Sequence, residues 1–247
     1  MATQHGIIHL TGTLGDVNFY LRKGKPVLRQ AGGGFSGSAI QTKPSMARVR
    51  ENAGEFGRVS KAKKALRLGL LPFLKDVRDV TLHGRMMQLF QEIKVLDSVS
   101  ARGERRFALG LATDAGQRLL QGFAFTPKKA SALLPGVGVY DRAAQEYHIT
   151  AISLKGYSLP TGATGVRVVF GVLDVDFETG DSALHQSAPL YLDHHFMSAT
   201  VTLAPTVLPA FGGIRMGVLQ VRFYQELNGA RYLFGEVQGV EVLGCVV

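Results

Sequence analysis

A chain of 247 residues with 46% hydrophobic side chains can bury a sizeable core, so its composition excludes an intrinsically disordered protein. Its single cysteine, Cys245, excludes an intramolecular disulfide. The formal net charge is +9, and the basic excess lies near the start, since residues 22–67 hold twelve Lys or Arg against two Glu. Such a charge asymmetry usually concerns a partner, either nucleic acid or an acidic surface on another copy of the chain.

The first predicted elements are short strands. Apolar and polar residues alternate from Ile8 to Leu21, a turn follows at 24–26, and residues 27–29 resume the strand pattern. The glycine-rich stretch behind them offers few side chains to pack and has no helical period. Residues 31–43 are therefore predicted to form an extended arm.

A helical section comes next in the chain. Pro44 suits the first position of a helix, and apolar residues repeat behind it with helical spacing, which predicts a helix over 44–68. The same periodicity predicts a helix over 81–97, and Pro72 marks the start of a short helix between them.

From Phe107 onward the sequence has the period of strands. Segments rich in Val, Phe, Tyr and Leu alternate with turn residues. The predicted strands cover 107–112, 118–125, 147–155, 166–177, 190–203, 215–226 and 231–243. These elements predict an α+β protein in which an N-terminal strand and arm and a short helical section precede an antiparallel β-sandwich of about seven strands. The predicted domains are 1–43, 44–106 and 107–247.

The clearest single feature of the β part is its last hairpin. Asn228-Gly229 is the preferred pair for a type I′ turn, so the two flanking strands should be joined by a two-residue loop. That register pairs Phe223 with Phe234 and Tyr224 with Leu233.

Several motifs resemble ligand sites but lack the required context. Residues 32–37 satisfy G-x-G-x-x-G, yet no buried strand precedes them and the predicted helix starts too late for a dinucleotide site. Asp193 and His195 supply two metal ligands at most. The acidic run 174–181 has its glycine one place late for an EF-hand loop. We therefore expect no metal, no cofactor and no enzymatic activity.

The acidic run suits a half-buried strand better than a calcium loop. On such a strand Asp174, Asp176 and Glu178 share one face, which is predicted to be a solvated surface or an acidic interface ridge. The complementary candidate contacts, for assembly or for a polyanion, are the basic residues Arg22, Lys23, Lys25, Arg29, Arg48, Arg50, Arg58, Lys61, Lys63, Lys64 and Arg67.

Two functions fit this pattern. The first is a non-enzymatic structural subunit that self-assembles through arm or strand exchange into a filament, tube or shell. The N-terminal strand or the run 239–247 could be the donated strand, while the other interpretation is that this run closes the subunit's own sheet. The second function is nucleic-acid binding through the basic segment 22–67, although this segment contains few aromatic residues on which bases could stack.

The N-terminus has no classical secretory signal, and no apolar run approaches the ~20 residues that span a bilayer. The sequence therefore predicts a protein that stays in the cytoplasm or leaves by a non-classical route, without a membrane span.

The segment 23–29, the glycine run and the segment 48–58 carry one resemblance. They resemble the opening of a group of bacterial proteins with R-x-G-G and R-E-N-x-x-E-F-G patterns, for which no activity is known. The resemblance implies a bacterial source and a recurrent role for this segment, and it transfers no site residues.

Overall fold

The structure is a computed structural model that describes residues 2–4, 10–31, 36–208 and 212–247. The chain divides into two compact units, residues 1–50 and 51–247. This division differs from the predicted boundaries after residues 43 and 106. The helices and strands beyond residue 50 belong to one unit because they share a hydrophobic core.

The first unit contains a small antiparallel sheet. Its strands are β1 (Ala2–Thr3), β2 (Gly12–Leu14), β3 (Val17–Arg22) and β4 (Lys25–Gln30), and they pair in the order β1-β4-β3-β2. Lys23 and Gly24 join β3 to β4 with φ angles of 51° and 76°, as a type I′ turn requires. The short strands and hairpin predicted for this region are confirmed, with the turn one residue earlier than expected.

The predicted extended arm is partly wrong. Residues 37–42 form the helix α1 (Gly37–Thr42), and a 3₁₀ turn, Pro44–Met46, follows it. The hydroxyl of Ser36 caps this helix by accepting a hydrogen bond from the backbone N–H of Ala39 at 3.2 Å. The glycine-rich part of the arm, residues 32–35, lies outside the described residues.

Helices occupy the first part of the second unit. They are α2 (Ala47–Gly69), which begins in the first unit, α3 (Leu71–Leu74), α4 (Leu82–Val95), α5 (Phe107–Leu111) and α6 (Asp114–Leu120). The predicted helices at 44–68 and 81–97 correspond to α2 and α4, and the short helix expected at Pro72 is α3. All three predictions are confirmed.

The predicted strands at 107–112 and 118–125 are wrong, because these segments contain α5 and α6 instead. The hydroxyl of Thr113 caps α6 by accepting the N–H of Gly116 at 3.0 Å. A Cβ at Gly110 would overlap the carbonyl oxygen of Ile93 in α4. Small residues therefore let these helices pack closely on their neighbours.

Two antiparallel sheets complete the second unit. Their strands are β5 (Val137–Asp141), β6 (Glu146–Thr150), β7 (Gly165–Val175), β8 (Ser182–Gln186), β9 (Leu190–Leu192), β10 (Val201–Leu203), β11 (Ile214–Leu227) and β12 (Ala230–Val246). The larger sheet has the order β12-β11-β7-β8 with β9 also paired to β7, and the smaller has the order β10-β6-β5. β5 and β8 were not predicted, and the strand expected over 190–203 is two separate strands.

The larger sheet is buried on both faces. On β7, Val169 and Leu173 pack with the helices, whereas Val168 and Phe170 pack with the smaller sheet. The unit thus has three layers, helices, five-stranded sheet and three-stranded sheet. The α+β class with antiparallel sheets is confirmed, but a sandwich of seven strands is not the architecture, because helices cover one face of the central sheet.

The last hairpin has the predicted turn. Asn228 and Gly229 have φ angles of 51° and 77°, and Tyr224 pairs with Leu233 as predicted. The register of β11 and β12 shifts between Arg222 and Tyr224, so Phe223 has no partner on β12. The predicted pair of Phe223 with Phe234 is therefore wrong.

The C-terminal strand closes the sheet of its own subunit. Residues 239–246 of β12 pair with β11. On the other edge of β12, the N–H groups of Gly122 and Phe125 donate to the carbonyls of Val242 and Val240, each at 2.8 Å. Because β11 pairs with one edge of this run and the segment 122–128 contacts the other edge at residues 239–242, the interpretation of 239–247 as a strand donated to another copy is not supported.

Candidate assembly face and cationic groove

The small N-terminal sheet has one apolar face. Residues directly opposite each other in antiparallel strands point to the same side, so Phe19 shares a face with Gly12 and Leu28, and Leu21 shares it with Pro26. Only Gln30 is polar on this side among the paired residues. We call this side the apolar face, and its members are Ala2, Gly12, Leu14, Val17, Phe19, Leu21, Pro26 and Leu28.

The apolar face is not buried within the chain. No described residue of the first unit is buried, and the side chains of Leu14 and Leu21 are 71% and 58% exposed. A sheet of this size normally needs a hydrophobic face packed against another layer to be stable. The first unit therefore has a face suited to burial and no complete cover for it.

The opposite side of the same sheet is basic. It carries Tyr20, Arg22, Lys25 and Arg29, and we call it the basic face. The guanidinium of Arg29 lies 5.6 Å from the centre of the Tyr20 ring, within range of a cation–π contact. Arg22 and Lys25 are directly opposite each other, so the two strands place two positive charges side by side on this face.

The remaining basic candidates of the first unit are dispersed. Arg50 donates to the carbonyls of Ile40 at 2.6 Å and Lys43 at 3.1 Å, so it holds α1 and the following residues in place. Lys23 lies in the hairpin turn, and Arg48 lies exposed on α2. The structure thus gives Arg50 a role in local structure.

In the second unit a different set of cations lines a groove. Arg58, Lys61 and Lys64, each three residues apart on α2, face Arg106 and the half-buried ring of Phe177 across two adjoining hollows of about 130 and 330 Å³. We call this the cationic groove. Its wall also includes Glu178.

The cationic groove has an excess of positive charge. Arg106 lies 3.4 Å from Glu178, and Arg58 lies 3.2 Å from Glu104, so two of its cations have carboxylate partners. Lys61 and Lys64 are exposed and have no ion pair within the described part of the chain. A pair of lysine charges therefore remains available for an anion.

Lys63 and Arg67 do not line the groove. Lys63 is buried, and its Nζ lies 3.0 Å from Nδ1 of His83. Burial, helped by the charge of Arg67, lowers the pKa of Lys63 below its usual range. The basic residues of α2 thus include a groove-facing set, Arg58, Lys61 and Lys64, and one buried lysine, Lys63.

Residues 50–57, which have the R-E-N-x-x-E-F-G pattern, hold one wall of the groove in place. Glu55 on α2 accepts the N–H of Gly103 at 2.8 Å and pairs with Lys94 at 2.5 Å, and both charged side chains are almost fully buried. Arg58 donates to the carbonyl of Gly103, and Glu51 pairs with Arg102 at 3.3 Å. One face of α2 therefore clamps the loop that carries Arg106.

Asp97 organises the same loop from its other end. Its carboxylate accepts the N–H groups of Val99, Ser100 and Arg106 at 2.9–3.0 Å. Burial alone would raise the pKa of Asp97, but these hydrogen bonds, led by that from Ser100, lower it to about 2. The carboxylate is thus ionised at neutral pH and helps to position Arg106.

The predicted acidic ridge does not exist as an exposed surface. Asp174 is 0% exposed, so it cannot contribute to a solvated face. Asp176 accepts the N–H of Glu178 at 2.7 Å and stabilises the turn after β7. Only Glu178 is exposed, and it lies in the cationic groove beside Arg106.

The remaining described motif residues are Asp193 and His195. Asp193 accepts the N–H of His195 at 2.8 Å and so stabilises its own turn. Within the described ranges, no group of three or more His, Cys, Asp or Glu side chains is placed to hold a metal ion. Nor is any described helix long and apolar enough to cross a membrane.

Two members of the groove lie outside the basic segment that the sequence singled out. Arg106 precedes α5, and Phe177 follows β7. From the sequence, Arg106 was placed at the end of the helical section 44–106 and Phe177 at the end of the predicted strand 166–177, and neither was predicted to be a contact residue. The three-residue spacing of Arg58, Lys61 and Lys64 was visible in the sequence. No local sequence pattern indicates that Arg106 and Phe177 lie beside these three cations, because only the tertiary fold brings them together.

Comparisons with protein-family models, curated proteins and solved structures give no match for this chain. The fold is that of an α+β protein with antiparallel sheets, and among the described residues of its small N-terminal sheet none is buried. The resemblance to a group of bacterial proteins stays a prediction.

Proposed function

We propose that the protein is a non-enzymatic structural subunit that self-assembles, and that the apolar face of its N-terminal sheet is a contact between copies. The observation that supports this proposal is the exposure of Leu14 and Leu21 on a face with one polar member. Two such faces packed against each other would form the layered arrangement in which sheets normally bury their apolar sides.

The size of the face limits the strength of one contact. Strands spaced by about 4.8 Å, with up to six residues at about 3.3 Å each, give a face of at most about 400 Å². Pairing two faces would bury about 800 Å² in total, below the roughly 1,200 Å² of stable specific interfaces. One contact is therefore weak, and a lasting assembly needs several contacts per subunit.

Symmetry sets the form of the assembly. A face packed on the same face of a second copy closes a two-fold dimer, so growth into a filament, tube or shell requires a second contact elsewhere on the subunit. Contact through the apolar face is proposed in place of exchange of an extended arm, because residues 37–42 are helical. It also replaces donation of the last strand, which is paired in its own sheet.

Substitutions on the two faces of the N-terminal sheet test this proposal. Leu14→Lys combined with Leu21→Lys should convert concentration-dependent oligomers into monomers in light scattering coupled to size exclusion, because charges would be placed on the apolar face. Thr13→Lys lies on the same strand but the opposite face, so it should leave the oligomers intact. Oligomers that survive the double substitution, or a wild-type chain that stays monomeric and shows no filaments by electron microscopy, would reject the proposal.

Nucleic-acid binding is the second candidate function. The observation that favours it is the opposed pair Arg22 and Lys25 on the basic face, beside Arg29 and Tyr20. A phosphate backbone along this row would be attracted by the positive charges that the strands place side by side.

A further inference from the structure

The cationic groove brings together groups that recognise a nucleic-acid strand. We propose that this groove of the second unit binds single-stranded nucleic acid, with Lys61 and Lys64 on phosphates and Phe177 under a base. The inference does not depend on self-assembly, and it gives the second candidate function a site distinct from the basic face.

The dimensions of the groove fit a short stretch of strand. From Arg58 to Lys64 the helix rises about 9 Å. Neighbouring phosphates of a single strand lie farther apart than the axial rise of about 3.4 Å per nucleotide in a duplex, so the row of cations matches about two phosphates. Arg106 extends the positive wall from the opposite side. This arrangement is a positively charged groove that follows a backbone.

Phe177 supplies the aromatic surface whose scarcity weakened the prediction from sequence. Its ring lines both hollows and is fixed by an edge contact with Phe107, with ring centres 4.8 Å apart. Exposed Leu68 continues the apolar floor at the far end. Sequence-tolerant stacking needs such a ring next to cations, because every base has an aromatic face.

Glu178 acts as an internal competitor in this site. Its exposed carboxylate lies 3.4 Å from Arg106, where a phosphate oxygen of the ligand would also be placed. Binding must therefore displace this ion pair, and its removal should strengthen binding. An exposed pair of this kind is weak, so the displacement is feasible.

Fluorescence anisotropy with a labelled oligothymidylate of about 15 nucleotides tests the inference on the full chain. The pair Lys61→Glu and Lys64→Glu should weaken binding at least tenfold and make the slope of log affinity against log salt shallower by about 1.4 units, since each phosphate contact on a single strand contributes about 0.7. Phe177→Leu should weaken binding about fivefold. Glu178→Gln should tighten it about threefold.

The matched control is the pair Lys75→Glu and Lys155→Glu. Both lysines are exposed on the same unit and lie outside the groove, so the net charge changes equally while binding should stay within about twofold. Thermal unfolding of each variant checks that the fold persists. Equal losses in the groove variant and in this control would overturn the inference, because only overall charge would then matter.

Three other results would also overturn it. Binding that is lost in Lys25→Glu with Arg29→Glu, but retained in Lys61→Glu with Lys64→Glu, would leave the nucleic-acid function standing and move it to the basic face. A polyglutamate peptide that competes as well as the oligonucleotide would identify the groove as a site for acidic protein segments. A chain that binds no oligonucleotide would reject both the groove and the second candidate function.

Discussion

Asp174 lies on the face of β7 that carries Val172, and its side chain is fully buried. Burial raises the pKa of its carboxyl above the usual value. The guanidinium of Arg215, whose Nε is 3.7 Å away, and the N–H of Gly213 lower this pKa again, but only in part. The fold therefore favours the protonated form more than the unfolded chain does.

Asp174→Asn should stabilise the protein at neutral pH. Because the folded pKa lies above the usual 3.8, the charged carboxyl costs stability increasingly as pH rises from about 3.8 through the raised pKa. An amide does not titrate, so the free energy of unfolding of the variant should exceed that of the wild type by on the order of 1 kcal/mol at pH 7 and by little below pH 4.

Thermal unfolding of both proteins at neutral and acidic pH measures this difference. A variant that melts at a lower temperature than the wild type at pH 7 would show that attraction to Arg215 outweighs the cost of burial.

At the scale of elements, the main interaction is the clamp between α2 and the loop before α5. Glu55 and Lys94 form a buried ion pair in which burial raises the pKa of Glu55, while Lys94 and the N–H of Gly103 more than compensate and lower it overall. Removing one partner leaves an uncompensated buried charge, whereas removing both leaves none.

Glu55→Met should therefore lower the free energy of unfolding by about 3 kcal/mol, and the double variant with Lys94→Met should recover much of this loss. Chemical denaturation measures both. The exposed pair Arg231 and Glu226, 2.9 Å apart, provides the control, because Glu226→Gln should change stability by less than about 1 kcal/mol. A double variant that is no more stable than the single one would contradict the clamp, since the unpaired charge would then not be the cause.

Local sequence signals explain which elements could be predicted. α2 and α4 are long and periodic, and the Asn228-Gly229 hairpin has strong turn chemistry, so their patterns identify them. α5 is a short apolar segment, for which strand and helix patterns look alike, and α6 has only seven residues in which to show a helical period. The cap at Thr113 was an available signal, but the close approach at Gly110 depends on α4 and cannot be recognised from the segment alone.

The same limit applies to the surfaces. The basic residues of the groove on α2 were identified from charge, but Arg106 and Phe177 join them only through tertiary packing. The burial of Asp174 also depends on packing, since alternation alone predicts a solvated carboxylate on a sheet whose second face is open. The second sheet covers that face. A β-sandwich was predicted, but the alternation in β7 does not indicate which of its residues the second sheet covers.

At the scale of the whole molecule, the two units differ in how they are stabilised. All buried residues of the described chain lie beyond Arg50, so the second unit contains the hydrophobic core. The first unit has strands and an apolar face but no buried residue. A unit without buried residues contributes little hydrophobic stabilisation to the chain.

Deletion of residues 1–43 should consequently leave a folded, monomeric second unit. The deletion retains the whole of α2 and every residue of both hydrophobic clusters, so a cooperative thermal transition should persist within a few degrees of that of the full chain. Association should be lost because the apolar face is absent. Light scattering and electron microscopy measure the oligomeric state of the truncated protein, of the full chain, and of the full chain carrying Leu14→Lys and Leu21→Lys. The double variant should have the same oligomeric state as the truncated protein. Assemblies that persist without residues 1–43 would place the contact in the second unit, and loss of the thermal transition would show that its core needs the N-terminal sheet.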